Sequence, residues 1–286
     1  IMRMTYRQQL QEAASTLVRL ALAEDIGSGD VTTTHLVPSG LRGKARVIAK
    51  EPLVTAGYLL FMMVFEKLSK DVVCSFMVEE GTEAAAGDVV VSLTGPYATL
   101  LTGERTALNF LQHLSGIATL TRKFVQKIAA YNTILLDTRK TIPGWRLLAK
   151  DAVRLGGGTN HRLGLYDAFL IKENHIAACG GITRAFELAR RQKSDDMKIE
   201  IEVRTLDELR EALSCRPDII MLDNMSLEEM RQAVLEAAGN VKLEASGNIT
   251  LETIEDIAAT GVDYISVGAI THSARAVDLS MIIEPL

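Results

Sequence analysis

Between residues 134 and 267 the chain repeats one pattern six times, a short apolar run followed by a stretch with helical spacing. The runs fall at 134–138, 168–172, 198–203, 218–222, 240–245 and 262–267. Buried strands alternating with helices predict a parallel sheet, either closed toward a barrel or doubly wound. A complete eight-unit barrel takes about 250 residues. Only about 150 follow residue 134, so any barrel here is expected to be incomplete. The first half is built differently. Leu10, Ala13, Leu17, Leu20 and Ala21 predict a helix over 5–24, and EDIGSGDVTT (24–33) a loop. Ala45, Val47 and Ala49 alternate as a strand, a helix is expected at 57–69, and strands near 72–78 and 88–94. A long helix should run from 100 to 129, with a break near Gly116. This half predicts an α+β arrangement.

All six strands of the second half finish in charged, hydroxylic or glycine residues: Asp137 to Lys140, Lys172 to His175, Glu200, Glu202 and Arg204, Asp223-Asn224, Glu244 to Asn248, and Ser266 to Ala269. The opposite strand ends show no such clustering. In parallel α/β folds the carboxyl edge of the sheet is where ligands bind. In IEIEV the apolar Ile199, Ile201 and Val203 oppose Glu200 and Glu202, and Glu244 likewise opposes Leu243 and Ala245. Carboxylates aimed at a barrel interior must be paired, as Lys172 with Glu200 could be, or must serve a metal or substrate. From Asp137 to His175 there are seven Lys/Arg against four acids, in a chain whose net charge is −5. A local basic pocket on an acidic protein suits a small polyanion and argues against nucleic acid. Gly156-Gly157-Gly158 inside that stretch allows close approach of backbone to a ligand, and the turns Ser246-Gly247-Asn248 and Gly268-Ala269 offer N–H groups to phosphate.

Other classes are excluded by composition. The longest apolar run, Tyr58 to Phe65, is far short of the ~20 residues that span a bilayer. MTYRQQLQEAASTLVRLALAED is charged and amphipathic, unlike an export signal. Cys74, Cys179 and Cys215 are odd in number and widely spaced, giving neither a disulfide framework nor a zinc pattern. A reduced, cytoplasmic protein is expected. His35 and His113 lack charged neighbours in sequence and are read as structural, Asp30 as a cap or turn residue, and His175 as a support or a direct contact at a strand end.

The segments EDIGSGDVTT, GERTALNFLQHLSGIAT, DTRKTIPG, AVRLGGGTNHRLGLYDAFLIKENH, IEVRTLDE, IMLDNMS, EASGNIT and GVDYISVGAITHS, in order from about 20 to 280, resemble the quinolinate phosphoribosyltransferase family. The resemblance implies a type II phosphoribosyltransferase fold: an N-terminal α/β sandwich domain (1–115, with the tail 273–286 returning to it) and an incomplete (β/α) barrel (116–272). It implies a glycosyltransferase of NAD biosynthesis that joins quinolinate to phosphoribosyl pyrophosphate (PRPP), giving nicotinate mononucleotide, pyrophosphate and CO2, with Mg2+ as cofactor. It also implies a homodimer, sometimes assembled further, whose active sites are shared between subunits. By position, Arg139, His161, Arg162 and Lys172 match the residues that hold the quinolinate carboxylates, with Thr138 in the same pocket and Arg105 reaching from the partner subunit. Lys140 matches a lysine near the ribose phosphate. Glu202 and Asp223 match the acids beside the ribose hydroxyls and the Mg2+-pyrophosphate, binding the ion directly or indirectly. Ser246, Gly247, Asn248, Gly268, Ala269 and His272 match the phosphate turns. The catalytic set so implied is Lys140, Lys172, Glu202 and Asp223. Trp145 and Asp151 depart from the family's usual residues, at positions that carry no ligand contact.

Three other readings stay open at this level. A nicotinate phosphoribosyltransferase would need one carboxylate gripped, fewer than this basic cluster provides. A Schiff-base aldolase would use Lys172 or Lys140 as nucleophile. A silent binding protein would have no need of Glu202 and Asp223.

Overall fold

The computed structural model describes residues 4–194 and 196–286, which form two compact units. The first comprises residues up to 122, 141–157 and 273–286; the second comprises 123–140 and 158–272. The tail therefore groups with the first unit, and so do 116–122 and 141–157, which the sequence reading assigned to the barrel.

The first unit carries α1 (Tyr6–Ile26), α2 (Val31–Leu36), β1 (Arg42–Ala49), β2 (Leu53–Val54), α3 (Tyr58–Leu68), β3 (Val73–Phe76), β4 (Glu83–Ala84), β5 (Val89–Pro96) and most of α4 (Tyr97–Lys127). After β6 (Ile134–Leu136) of the second unit, the chain adds α5 (Arg146–Leu155), which packs on α1. The expected loop at 24–33 is largely helical: α1 runs to Ile26, and Asp30 caps α2 through a 2.9 Å bond from Thr33 N to its Oδ1. The expected break in α4 is absent. Gly116 sits inside an unbroken helix because a Cβ there would lie 2.0 Å from the Arg275 carbonyl oxygen of the tail. His113 packs edge-on against Trp145, at 5.2 Å between ring centroids, and His35 Nδ1 lies 2.6 Å from Val31 O within α2.

The second unit continues with β7 (Phe169–Ile171), α6 (Glu173–Cys179), α7 (Ile182–Gln192), β8 (Ile199–Val203), α8 (Leu206–Cys215), β9 (Ile219–Asp223), α9 (Leu227–Ala237), β10 (Lys242–Ser246), α10 (Ile254–Ala258), β11 (Tyr264–Ser266) and α11 (Ala269–His272). The last strand, β12 (Leu279–Pro285), returns to the first unit and pairs antiparallel with β1 in the four-stranded order β12-β1-β5-β3.

The six expected strands all form, in one parallel sheet ordered β6-β11-β10-β9-β8-β7. The first strand pairs with the last, as barrel closure requires, while among the described residues β6 and β7 do not pair. The sheet is an incomplete barrel. Ile199, Ile201, Val203, Leu243 and Ala245 are buried on one face, under helices such as α7, α8 and α9, which leaves Glu200, Glu202 and Glu244 on the other.

Candidate active site

The carboxyl ends of the six strands surround a cavity of about 470 Å3, wholly within the second unit. Thr138, Arg139 and Lys140 enter it after β6, Lys172 after β7, Glu202 from β8, Asp223 from β9, and Ser246, Gly247 and Asn248 from the end of β10. His161 and Arg162 come from the loop that precedes β7. Eleven of the residues matched by resemblance thus line one space. Leu170, Met221, Asn224, Glu244 and Ser266 complete the lining. The sequence reading gave these five no ligand-site role, although for Glu244 strand alternation had supplied the signal.

The basic wall is aimed by backbone pairing at the open barrel edge. Thr159 N donates to Leu135 O (2.9 Å) and Asp137 N to Thr159 O (3.1 Å), so the loop runs parallel to β6. Buried Asp137 then accepts from His161 N at Oδ1 and from Asn160 Nδ2 at Oδ2, both at 2.8 Å. Asp167 accepts from Leu163 N and Gly164 N and fixes the other side of Arg162. Burial, and then the neighbouring Arg139 charge, lower the Arg162 pKa; Glu200 and Asp167 act in the opposite sense. Two guanidinium groups that repel one another make a site prepared for an anion. The glycine triplet does not line the cavity. Gly156 is pressed on α4, where a Cβ would meet Ala118 O at 2.5 Å, and Gly157 supplies a positive φ of 95°.

Lys172 Nζ lies 3.4 Å from Glu202 Oε2, so the expected pairing with Glu200 is replaced by one with the next inward acid. His175 Nδ1 accepts from Lys172 N (3.0 Å) and supports its backbone. Asp223 Oδ2 is 3.6 Å from Arg204 Nε, while its Oδ1 accepts from Asn224 Nδ2. Glu202 and Asp223 thus bring carboxylate oxygens to the cavity, a donor set that fits Mg2+. Asn224 also accepts from Asn248 Nδ2 (3.1 Å), joining the turns after β9 and β10. Gly247, at φ 102°, is required there because a Cβ would come 2.2 Å from Asn224 Oδ1. Gly268, Ala269 and His272 stand outside the lining; Gly268 packs against Lys140, whose carbonyl accepts from Thr271 Oγ1 (2.7 Å). Arg105 belongs to the first unit, exposed on α4.

Below the wall lie two buried acids, Glu200 and Glu244. His161 Nε2 is 2.9 Å from Glu200 Oε2 and 3.5 Å from Glu244 Oε2, and Nδ1 accepts from Arg162 N (2.8 Å). As placed, His161 has protein partners at both ring nitrogens.

Residues 30–115 match the quinolinate phosphoribosyl transferase N-terminal domain, and residues 117–282 its C-terminal domain. A probable nicotinate-nucleotide pyrophosphorylase (carboxylating) from Synechocystis sp. is 47% identical over 273 residues, covering 91% of this chain and 89% of that protein. The Mycobacterium leprae nicotinate-nucleotide pyrophosphorylase (carboxylating) is 40% identical over 284 residues, covering 94% and 97%. The solved nicotinate-nucleotide pyrophosphorylase of Francisella tularensis superposes with a TM-score of 0.93 at 46% identity, over 96% of this chain and 97% of that one. With both domains matched and relatives this similar over nearly the whole length, the chain belongs to the quinolinate phosphoribosyl transferase family.

Proposed function

We infer that this chain transfers the phosphoribosyl group of PRPP to quinolinate and releases pyrophosphate and CO2, leaving nicotinate mononucleotide for NAD synthesis. The observation that carries this is the single cavity holding Arg139, Arg162 and Lys172 together with Glu202 and Asp223. Quinolinate is a dianion at neutral pH, and guanidinium groups take carboxylates in a two-pronged grip. Arg139, Arg162 and Lys172, beside Thr138, hold its two carboxylates, and His161 orients Arg162 from below. Glu202 and Asp223 would hold Mg2+, which would supply charge neutralisation for the pyrophosphate leaving group. Displacement at the anomeric carbon builds positive charge on the ribose, and the same two carboxylates stabilise it. Ser246, Gly247 and Asn248 offer backbone N–H groups to the phosphate, with Lys140 beside them; Gly268, Ala269 and His272 shape that end. N-glycosylation makes the pyridine ring cationic, and this electron sink permits loss of the 2-carboxylate as CO2, the electron pair left on C2 then taking a proton from water. The protein works in the cytoplasm as a homodimer, with Arg105 completing the partner's site. Among the described residues no helix is long and apolar enough to cross a membrane.

Incubation with quinolinate, PRPP and Mg2+ should yield nicotinate mononucleotide; product from nicotinate instead would replace the substrate, and no product from either would leave a silent binding protein. CO2 should appear only when PRPP is present. Arg105→Ala and Lys172→Ala should each be nearly inactive, yet subunit exchange should restore about a quarter of wild-type activity, because half the dimers then carry one intact site. Absence of recovery would mean that each site is built from one chain.

A further inference from the structure

Three polar groups meet beneath the basic wall: the partly exposed His161 ring and the buried Glu200 of β8 and Glu244 of β10. One ligand atom from each lies within 4.8 Å of the others. The ring's tautomer follows from its neighbours. A backbone N–H can only donate, so the 2.8 Å bond from Arg162 N makes Nδ1 an acceptor that carries no proton. The one ring proton therefore sits on Nε2, facing Glu200 Oε2 at 2.9 Å and Glu244 Oε2 at 3.5 Å. His161 is neutral. The same bond argues against a metal in this cluster. A metal on Nε2 would leave the ring with no proton at all, whereas ligating histidines donate their second N–H.

One N–H cannot balance two carboxylates. Glu200 is 3% exposed and Glu244 fully buried, and neither Glu244 oxygen receives a hydrogen bond from a protein donor of good geometry. A carboxylate left in that state is costly, while a carboxylic acid brings its own donor. The His161 ring and the Ser266 hydroxyl favour the ionised form, but less than burial and Glu200 disfavour it. Glu244 faces Glu200 from β8, Met221 from β9, Tyr264 and Ser266 from β11, and His161 from the loop along β6. The remaining charges of the cavity wall are Arg139, Lys140, Arg162, the Lys172–Glu202 pair and Asp223. Among the described residues, His161 is the one partner within ion-pair distance of Glu244. Burial, and then the charge of Glu200, push the Glu244 carboxyl up to about 8.

We propose that Glu244 is a positioning residue that works in its protonated form: its O–H donates to Glu200, Glu200 remains the acceptor of the His161 Nε2–H, and the ring fixes the His161–Arg162 peptide and hence the Arg162 guanidinium. Loss of that proton places a second negative charge under a pocket whose ligand, on the functional reading above, is a dianion. The inference takes only that charge from the reading. Glu244 and Glu200 exchange no proton with the substrate.

In the wild-type protein the KM for quinolinate should rise about tenfold between about pH 7 and about pH 9.5, with kcat little changed. Glu244→Gln, neutral at every pH, should abolish that rise. Glu244→Leu, which cannot bond to Glu200, should show an elevated KM throughout. A readout independent of turnover is the infrared carbonyl band of a protonated carboxylic acid, present in the ligand-free wild-type protein at neutral pH and missing from Glu244→Gln. Thermal stability should follow with a defined sign. The folded carboxyl holds its proton between 4.5 and about 8, where the unfolded one has lost it, so wild-type stability should fall relative to Glu244→Gln as pH rises through that window. No acid band at neutral pH, or an alkaline rise in KM retained by Glu244→Gln, overturns the proposal. If the band is present but quinolinate is not turned over, the functional reading has failed instead. Phthalate, a dianion of similar shape, then reports the same pH effect as a change in Kd, and a flat Kd overturns the positioning role.

Discussion

Arg162→Ala should lower kcat/KM for quinolinate by about a thousandfold, near 4 kcal/mol, mostly through KM. The loss follows from what surrounds this guanidinium. Its Nη1 donates to Ala168 O at 3.2 Å, and its pKa is lowered by burial and by Arg139. Holding two cations together works against the folded state when the pocket is empty, and a dianion turns that repulsion into attraction. Removing one cation should therefore cost binding far more than folding. The expected signature is a Tm within a few degrees of wild type beside a KM raised by two to three orders of magnitude, a separation that uniform destabilisation cannot produce. Arg162→Lys should recover only part of the loss, since an ammonium keeps the charge but not the fork. Arg154→Ala is the control. Arg154 is exposed and bonded to Asp151 at 2.8 Å in the first unit, so its removal should change little. A matching fall in Tm and kcat at constant KM for Arg162→Ala would assign it a structural role.

The parallel sheet was legible because its strands are buried on both faces or end in a ligand-facing pair, and both conditions leave short apolar runs with polar ends. Runs as short as Phe169–Ile171 and Tyr264–Ser266 were found for that reason. Helix α5 shows where such reading stops. It follows β6 as a crossover helix should, and its amphipathic pattern states that one face is covered, but the pattern cannot say by which core. It is covered by the first unit. The acids Glu200 and Glu202 show a second boundary. Alternation puts both on the inner face, yet depth decides their partners. Glu202 is one pleat nearer the mouth and meets Lys172, while Glu200 meets His161. His161 reaches that depth only because its loop pairs along β6, a tertiary fact with no local sequence mark. Glycines were the least legible. Gly116 read as a helix break and the 156–158 triplet as a ligand cradle, whereas Gly116 and Gly156 mark places where two backbones touch.

Gly116→Ala should therefore be strongly destabilising, by about 3 kcal/mol or roughly 6–12 °C in Tm, although Ala is the better helix former. On an exposed helix the substitution would gain about 1 kcal/mol. Here the new methyl would lie 2.0 Å from Arg275 O and 3.4 Å from Ala276 Cα, and both neighbours are backbone, so no rotamer change relieves the clash. Either α4 shifts or the tail lifts. The tail is held by Val277 N to Gln112 O (3.1 Å), Gln112 Nε2 to Leu279 O (3.2 Å), Lys50 N to Asp278 O (2.9 Å), and the pairing of β12 with β1. Lifting it would expose the β1 edge, so hydrogen exchange should quicken first at β12 and next at β1, while β8 to β10 in the other unit keep their protection. Gly40→Ala provides the contrast. With φ at 82° and nothing within 4 Å of the added atom, it bears only the left-handed backbone penalty, about 1 kcal/mol. Equal losses in the two variants would mean that the approach of the tail does not dictate glycine at residue 116.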